Sequence, residues 1–204
     1  MNLTETRGEP CLDFVNTVSW RGRKFAHDQL QGYGELLEWG RQSGVITQDQ
    51  CDEISGMAFR SPGTAAEAHR KTIEFREALH RILSATIDVA DPSSSDMARV
   101  NAVLTEALSS LVLEKEGDTY KLLPRKEEAY LDSVVWGVAL SAAELLTSER
   151  LRRLKRCASE ECGWLFLDGS KNQSRRWCDM KDCGNRMKAQ RHYHRKMTAP
   201  VMKP

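Results

Sequence analysis

Long apolar runs are missing from this sequence, and the longest, around Val134 to Ala143, is too short to span a bilayer. The opening residues, Met1-Asn2-Leu3-Thr4-Glu5, lack both a basic n-region and an apolar h-region, so a cytoplasmic chain with no membrane partner is expected. Residues 1–147 show no internal repeat, no low-complexity tract and no Gly-rich phosphate loop. Nor do they show a paired acid and base, a nucleophile motif or a cofactor fingerprint, and the chain is therefore not expected to be an enzyme. Cysteine is sparse, at 6 in 204 residues, but its distribution is uneven.

The composition, 40% hydrophobic and 29% charged, is that of a globular protein with a core. A chain of 204 residues suits one ordinary domain, of about 100 to 200 residues, with a small module appended. The expected division is 1–147 and 148–204. Charge follows the same line. Residues 150–204 hold 15 Lys and Arg against 5 Asp and Glu, a balance of +10, and leave 15 basic against 24 acidic residues, or −9, in 1–149. A polyanion is the natural partner of the basic end.

Apolar residues at helical spacing predict a helix from Asp28 to about Ser43, ending near Gly44. Thr47 with Gln50 reads as a capping box for a short helix through Ile54 and Ala58, broken at Ser61-Pro62-Gly63. Thr64 with Glu67 reads as a second box opening a long helix to Ala90, and another helix is expected from Ser95 to Ser110. Around Glu116-Gly117-Asp118 the pattern becomes that of a hairpin, and a last long helix is placed from Glu127 to Leu146. The segment before Asp28 has no clear type. The expected fold is α+β and mostly helical, with one small antiparallel hairpin in the first domain.

Four cysteines follow the pattern Cys157-x4-Cys162-x15-Cys178-x4-Cys183. Each pair can chelate within one turn, and the spacer is long enough to return the second pair to the first around a tetrahedral ion. Zinc is the first candidate for such a thiolate set, with an iron–sulfur cluster or two disulfides as rivals. A segment with so few apolar residues needs a staple, and structural zinc contributes about 10 to 16 kcal/mol of apparent binding free energy in small peptides. Between the pairs, Trp164-Leu165-Phe166-Leu167 and Arg175-Arg176-Trp177-Cys178 read as two strands of a hairpin joined through residues 168–172. A helix from Cys183 towards Pro200 would complete a treble-clef-like zinc finger.

Cys183-Gly184-Asn185-Arg186, together with both cysteine pairs, Trp164, Phe166, Asp168 and Arg176-Trp177-Cys178, resembles the bacterial CGNR zinc finger over residues 150–197. The segment Cys11-Leu12-Asp13-Phe14-Val15-Asn16-Thr17 and the helices after it look like the ABATE domain that precedes this finger in stress-induced transcription regulators. The resemblance implies DNA binding by the finger and one structural Zn2+ per chain, held by Cys157, Cys162, Cys178 and Cys183.

At about 100° per residue, the C-terminal helix places Asn185, Lys188, His192, Arg195 and Lys196 on one face, the candidate nucleic-acid reader. Arg175 and Arg176 would widen that basic surface. Arg186 falls nearer Tyr193 and Met197, and a structural role is expected for it, bonding knuckle carbonyls or an acidic residue. His192 and His194 point apart, which disfavours a metal nuclease. Cys11 and Cys51 read as buried fillers. Asp13, Asn16 and Arg76 could line a small-molecule pocket, although the first two equally suit turns or caps and Arg76-Glu77 a solvated helix surface.

The function expected from these features is a transcription regulator whose finger binds DNA and whose first domain senses a ligand, dimerises or does both. The alternative is an adaptor whose finger binds RNA or a protein.

Overall fold

Local polar groups fix the helix starts more sharply than apolar periodicity does. In the computed structural model of the chain, residues 8–21, 23–125 and 130–198 are described, with only the backbone of residues 116, 123, 124, 191, 192 and 194–198. Helix α3, Gln48–Arg60, has the expected capping box: Gln50 N–H donates to Thr47 Oγ1 at 3.2 Å, and Thr47 N–H to Gln50 Oε1 at 2.9 Å. The second expected box does not form. Helix α4, Pro62–Ile87, starts two residues before Thr64, because Pro62 has no N–H to lose and its ring already holds a helical φ. Ser93 caps α5, Ser94–Ser109, by accepting from Asp96 N–H at 3.1 Å.

Two further boundaries move. Helix α2 covers Tyr33–Gln42, while Asp28 belongs to a two-residue strand β2, His27–Asp28, paired antiparallel with β1, Val18–Ser19. Before them, α1 is a single-turn helix, Pro10–Val15, in the segment whose type the sequence leaves open. The last long helix, α6, is Ser133–Leu146, and its expected start at Glu127 lies outside the described residues. The hairpin forms as expected, with β3, Leu111–Glu116, antiparallel to β4, Thr119–Pro124. Gly117 opens its two-residue turn at φ 60°, a backbone shape that glycine adopts without strain.

The core gathers Phe75, Ala78, Leu79, Ile82 and Leu83 of α4 with Val134, Val138, Ala142 and Leu145 of α6, and α1 packs against both helices. Cys11 and Cys51 are buried, and burial pushes the Cys11 thiol up to about 12, as befits an inert filler. The cluster does not stop at α6. After a short 3-10 turn, Glu149–Arg153, strand β5, Leu154–Arg156, pairs antiparallel with β6, Leu165–Leu167, and both Leu154 and Leu165 belong to the same buried cluster. One wall of the core is thus supplied by the four-cysteine segment. The fold is α+β and mostly helical, as the sequence implies.

Arg76 is not on a solvated helix surface. It is 2% exposed and donates to both carboxylate oxygens of Asp28 at 2.7 Å, to Thr17 Oγ1 at 3.1 Å and to Glu77 Oε1 at 3.0 Å. Arg21 closes the network by donating to Glu77 at 2.5 Å and to the Val15 carbonyl at 3.0 Å. Burial opposes the charge on Asp28, but the hydrogen bonds from Arg76 and from Leu30 N–H outweigh it and hold the carboxyl below its ordinary range. That contribution to stability is complete above the ordinary carboxylate pKa and is lost as pH falls through the lowered one. Arg76→Ala takes both guanidinium donors from Asp28, while Glu77 keeps Arg21, and the expected loss is about 3 kcal/mol by urea denaturation at neutral pH.

Candidate metal centre

Backbone pairing, turn chemistry and one arginine bring the four cysteines together. Cys157 follows β5 directly, and its N–H donates to the Trp164 carbonyl at 2.8 Å, extending the β5–β6 ladder by one rung. The chain then turns, with Cys162 N–H donating to the Ser159 carbonyl at 3.0 Å and Gly163 at φ 75°. A side chain at Gly163 would also collide with Arg21, whose Cβ would lie 2.9 Å from it. The second pair is fastened to the first where Ala158 N–H donates to the Arg176 carbonyl at 2.8 Å. Arg175 Nε donates to the Trp177 carbonyl at 2.9 Å, and its Nη2 to that of Cys178. Asp179 caps a single π turn, Met180–Gly184, by accepting from Lys181 and Asp182 N–H at 2.6 and 2.9 Å. Cys183 sits in that turn, just ahead of α7, Asn185–Thr198, and not within the α-helix as expected.

One expectation is corrected here. Residues 164–167 and 175–178 do not pair as a hairpin; β6 pairs instead with β5, upstream of Cys157. The Arg175-Arg176-Trp177-Cys178 segment takes irregular loop structure because buried Asp168 captures its start, accepting from Arg175 N–H at 2.9 Å. Asp168 also accepts from Lys155 Nζ at 2.6 Å, from Ser170 N–H at 2.9 Å and from Ser170 Oγ at 2.6 Å. Burial opposes the Asp168 charge, yet these bonds hold the carboxyl far below the ordinary range. Asp168 is therefore the hub of the loop between the pairs, a role that spacing alone does not reveal.

The four sulfurs all lie within 4.8 Å of one another, with Cys162–Cys178 at 3.6 Å and Cys178–Cys183 at 3.7 Å. Four thiolates arranged tetrahedrally at about 2.3 Å from zinc stand about 3.8 Å apart, whereas a disulfide requires about 2.05 Å. Without a cation the group is electrostatically frustrated. The close contact of Cys162 with Cys178 pulls the two thiols apart in acidity, lowering Cys162 and raising Cys178, and burial raises Cys183. A divalent ion removes the conflict by neutralising several thiolates at once. Four protein ligands also fill a tetrahedral shell and leave no position for a reactive water, the mark of a structural site.

Two family models cover nearly the whole chain: residues 8–149 match ABATE, described as "Putative stress-induced transcription regulator", and residues 153–196 match the CGNR zinc finger. The chain belongs to the ABATE family. No curated protein matches it. One structural zinc ion per chain, held by Cys157, Cys162, Cys178 and Cys183, follows from the finger and its sulfur cluster.

The ABATE domain and the CGNR finger are joined by more than the chain. Asn16 acts as a substitute strand edge, accepting from Leu165 N–H at 2.9 Å and donating to the Leu165 carbonyl at 2.8 Å. Trp164 Nε1 donates to the Val18 carbonyl at 3.2 Å. Arg186 donates to Asp182 at 2.5 Å and lies 4.3 Å above the ring centroid of Trp20. Trp20 itself adopts φ 61°, a left-handed backbone costing a bulky residue about 1 to 3 kcal/mol that the surrounding packing must offset.

The other site candidates fall in different places. Asn16 and Arg76 spend their polar groups inside the fold and Asp13 is exposed, so the three are not presented to a shared ligand. Arg175 is exposed but bonds the loop that carries Cys178, and its guanidinium lies 4.6 Å from the Phe166 ring centroid. Asn185 donates to the Lys181 carbonyl at 3.0 Å. Arg176 and Lys188 are exposed. The side chains of His192, Arg195 and Lys196 lie outside the described residues.

Removing zinc with a strong chelator is expected to unfold the finger and, because Leu154 and Leu165 belong to the shared core, to lower the melting temperature of the whole chain. Elemental analysis should give one zinc per chain, and Cys178→Ser should abolish it. Asn16→Ala leaves the N–H and carbonyl of Leu165 without partners, with an expected cost of about 2 kcal/mol in chemical denaturation.

Proposed function

We propose that this chain is a DNA-binding transcription regulator in which the CGNR finger contacts the duplex and the ABATE domain senses a ligand, dimerises or does both. One observation carries the reading: a balance of +10 over residues 150–204, on a module whose metal ligands are turned inward, beside an ABATE half of opposite sign. Arg176 and Lys188 are exposed and suited to phosphate contacts. His192, Arg195 and Lys196, further along the sequence of α7, carry the same chemistry. Asn185 can still offer its amide oxygen to a base edge while its nitrogen bonds Lys181. Arg175 supports this surface by holding its loop.

The saturated zinc site supports a role without catalysis. No described helix is long and apolar enough to cross a membrane. For an effector, the ABATE domain offers an open depression lined by Leu30, Gly34, Glu35 and Trp39. For a second copy it offers the outer face of the β3–β4 hairpin, where Leu113, Tyr120 and Leu122 are exposed.

The test is binding of the zinc-loaded full chain to labelled duplex DNA over a salt series. The expected log K falls by about 0.9 per neutralised phosphate for each tenfold rise in salt, and Lys188→Ala weakens binding on all sequences alike. Absence of affinity at low salt would refute the reading, and preference for structured RNA or a protein in competition would favour the adaptor alternative.

A further inference from the structure

The connection between β1 and β2 turns cations of the acidic ABATE half outward next to the finger. Arg23, Lys24, Phe25 and His27 follow one another closely, and all four are exposed. Phe25 is 63% exposed, although a ring of that size is normally covered, and it meets Trp20 edge-on at 5.9 Å between centroids. Trp20 also lies under the guanidinium of Arg186, at the first turn of α7. Arg23 reaches the first cysteine knuckle, donating to Glu161 at 3.3 Å with both side chains well exposed. The connection is therefore held against the finger at two points, its knuckle and the start of its helix.

We propose that this connection is a second DNA-contacting element, with Arg23 and Lys24 on backbone phosphates and Phe25 packed against a sugar or wedged at a base step. The inference rests on the proposed DNA binding by the finger and extends that interface into the ABATE domain. Its geometry comes from α7. Lys188 lies about 200° around the helix from Arg186, so the Lys188 face and the Trp20–Phe25 connection flank the helix on opposite sides. A helix about 10 to 12 Å thick fills a major groove about 12 Å wide and has a phosphate wall on each side. Lys188 meets one wall; Arg23 and Lys24 meet the other. The exposed Arg23–Glu161 pair is readily exchanged for a phosphate contact, since surface ion pairs hold their partners weakly. An exposed aromatic ring among cations fits nucleic acid twice over, by charge and by apolar contact with sugars and bases.

The test uses zinc-loaded full-length variants and labelled duplex DNA over a salt series, with zinc content and melting temperature measured in parallel. The Arg23→Ala, Lys24→Ala double variant is expected to lose about tenfold in affinity and to show a salt slope shallower by about 1 to 2, as for two lost phosphate contacts. Phe25→Ala weakens binding with the slope unchanged. Glu161→Gln breaks the same surface pair but leaves the cation free, so it binds as well as the wild type or better. The proposal is overturned if the double variant matches the wild type in affinity and slope while Lys188→Ala is weakened. It is equally overturned if Glu161→Gln falls in step with the double variant, or if binding is lost only together with zinc. A wild-type chain with no affinity for duplex DNA would instead remove the underlying reading of the finger.

Discussion

Four thiolates cannot share a volume under 5 Å across without a cation among them, and the C-terminal third of this chain depends on that constraint. Between Cys157 and the end of α7 the apolar residues packed around the sulfurs are few, chiefly Trp164 and Trp177. What hydrophobic burial would supply in a larger module is supplied here by metal–sulfur bonds. The remaining polar contacts, Asp168 with Lys155 and Ser170, and Arg175 with the Trp177 and Cys178 carbonyls, hold the ligand-bearing loops in position for the ion.

The finger is also a structural part of the ABATE domain. Leu154 and Leu165 complete the helical core, and Asn16 pairs with the backbone of β6 as a neighbouring strand would. A change in the ABATE domain that shifts α1, where the core residues run directly into Asn16, is transmitted to the strand next to Cys157. The buried Arg76 network ties α4 to the same region through Thr17 and Asp28. A connection of this kind ties the position of the finger to the packing of α1.

Charge is divided as sharply as the ligands are gathered. The ABATE half is acidic overall, yet its buried Arg76 and half-buried Arg21 are matched by Asp28 and Glu77. The cations it leaves outside include those beside the finger, Arg23 and Lys24. Charge in this molecule is therefore paired off inside the fold and, under the proposed DNA binding, turned towards a polyanion outside it.

Much of this was legible in the sequence, because the signals concerned are local. The capping box at Thr47 and Gln50, the Gly117 turn, the period of α4 to α6 and the four-cysteine spacing each lie within a few turns of chain, and each produced the element its chemistry specifies. Pro62 overrode the Thr64 box because a residue without an N–H starts a helix more cheaply than a hydroxyl can cap one. Other features depended on partners far away in the chain and left no local trace. The pairing of β6 with β5 in place of residues 175–178, the use of Asn16 as a strand edge 149 residues from its partner, and the burial of Arg76 against Asp28 were decided by the tertiary structure. A polar side chain in a sequence shows what bonds it can make. Only the packed chain decides which group is close enough to make them.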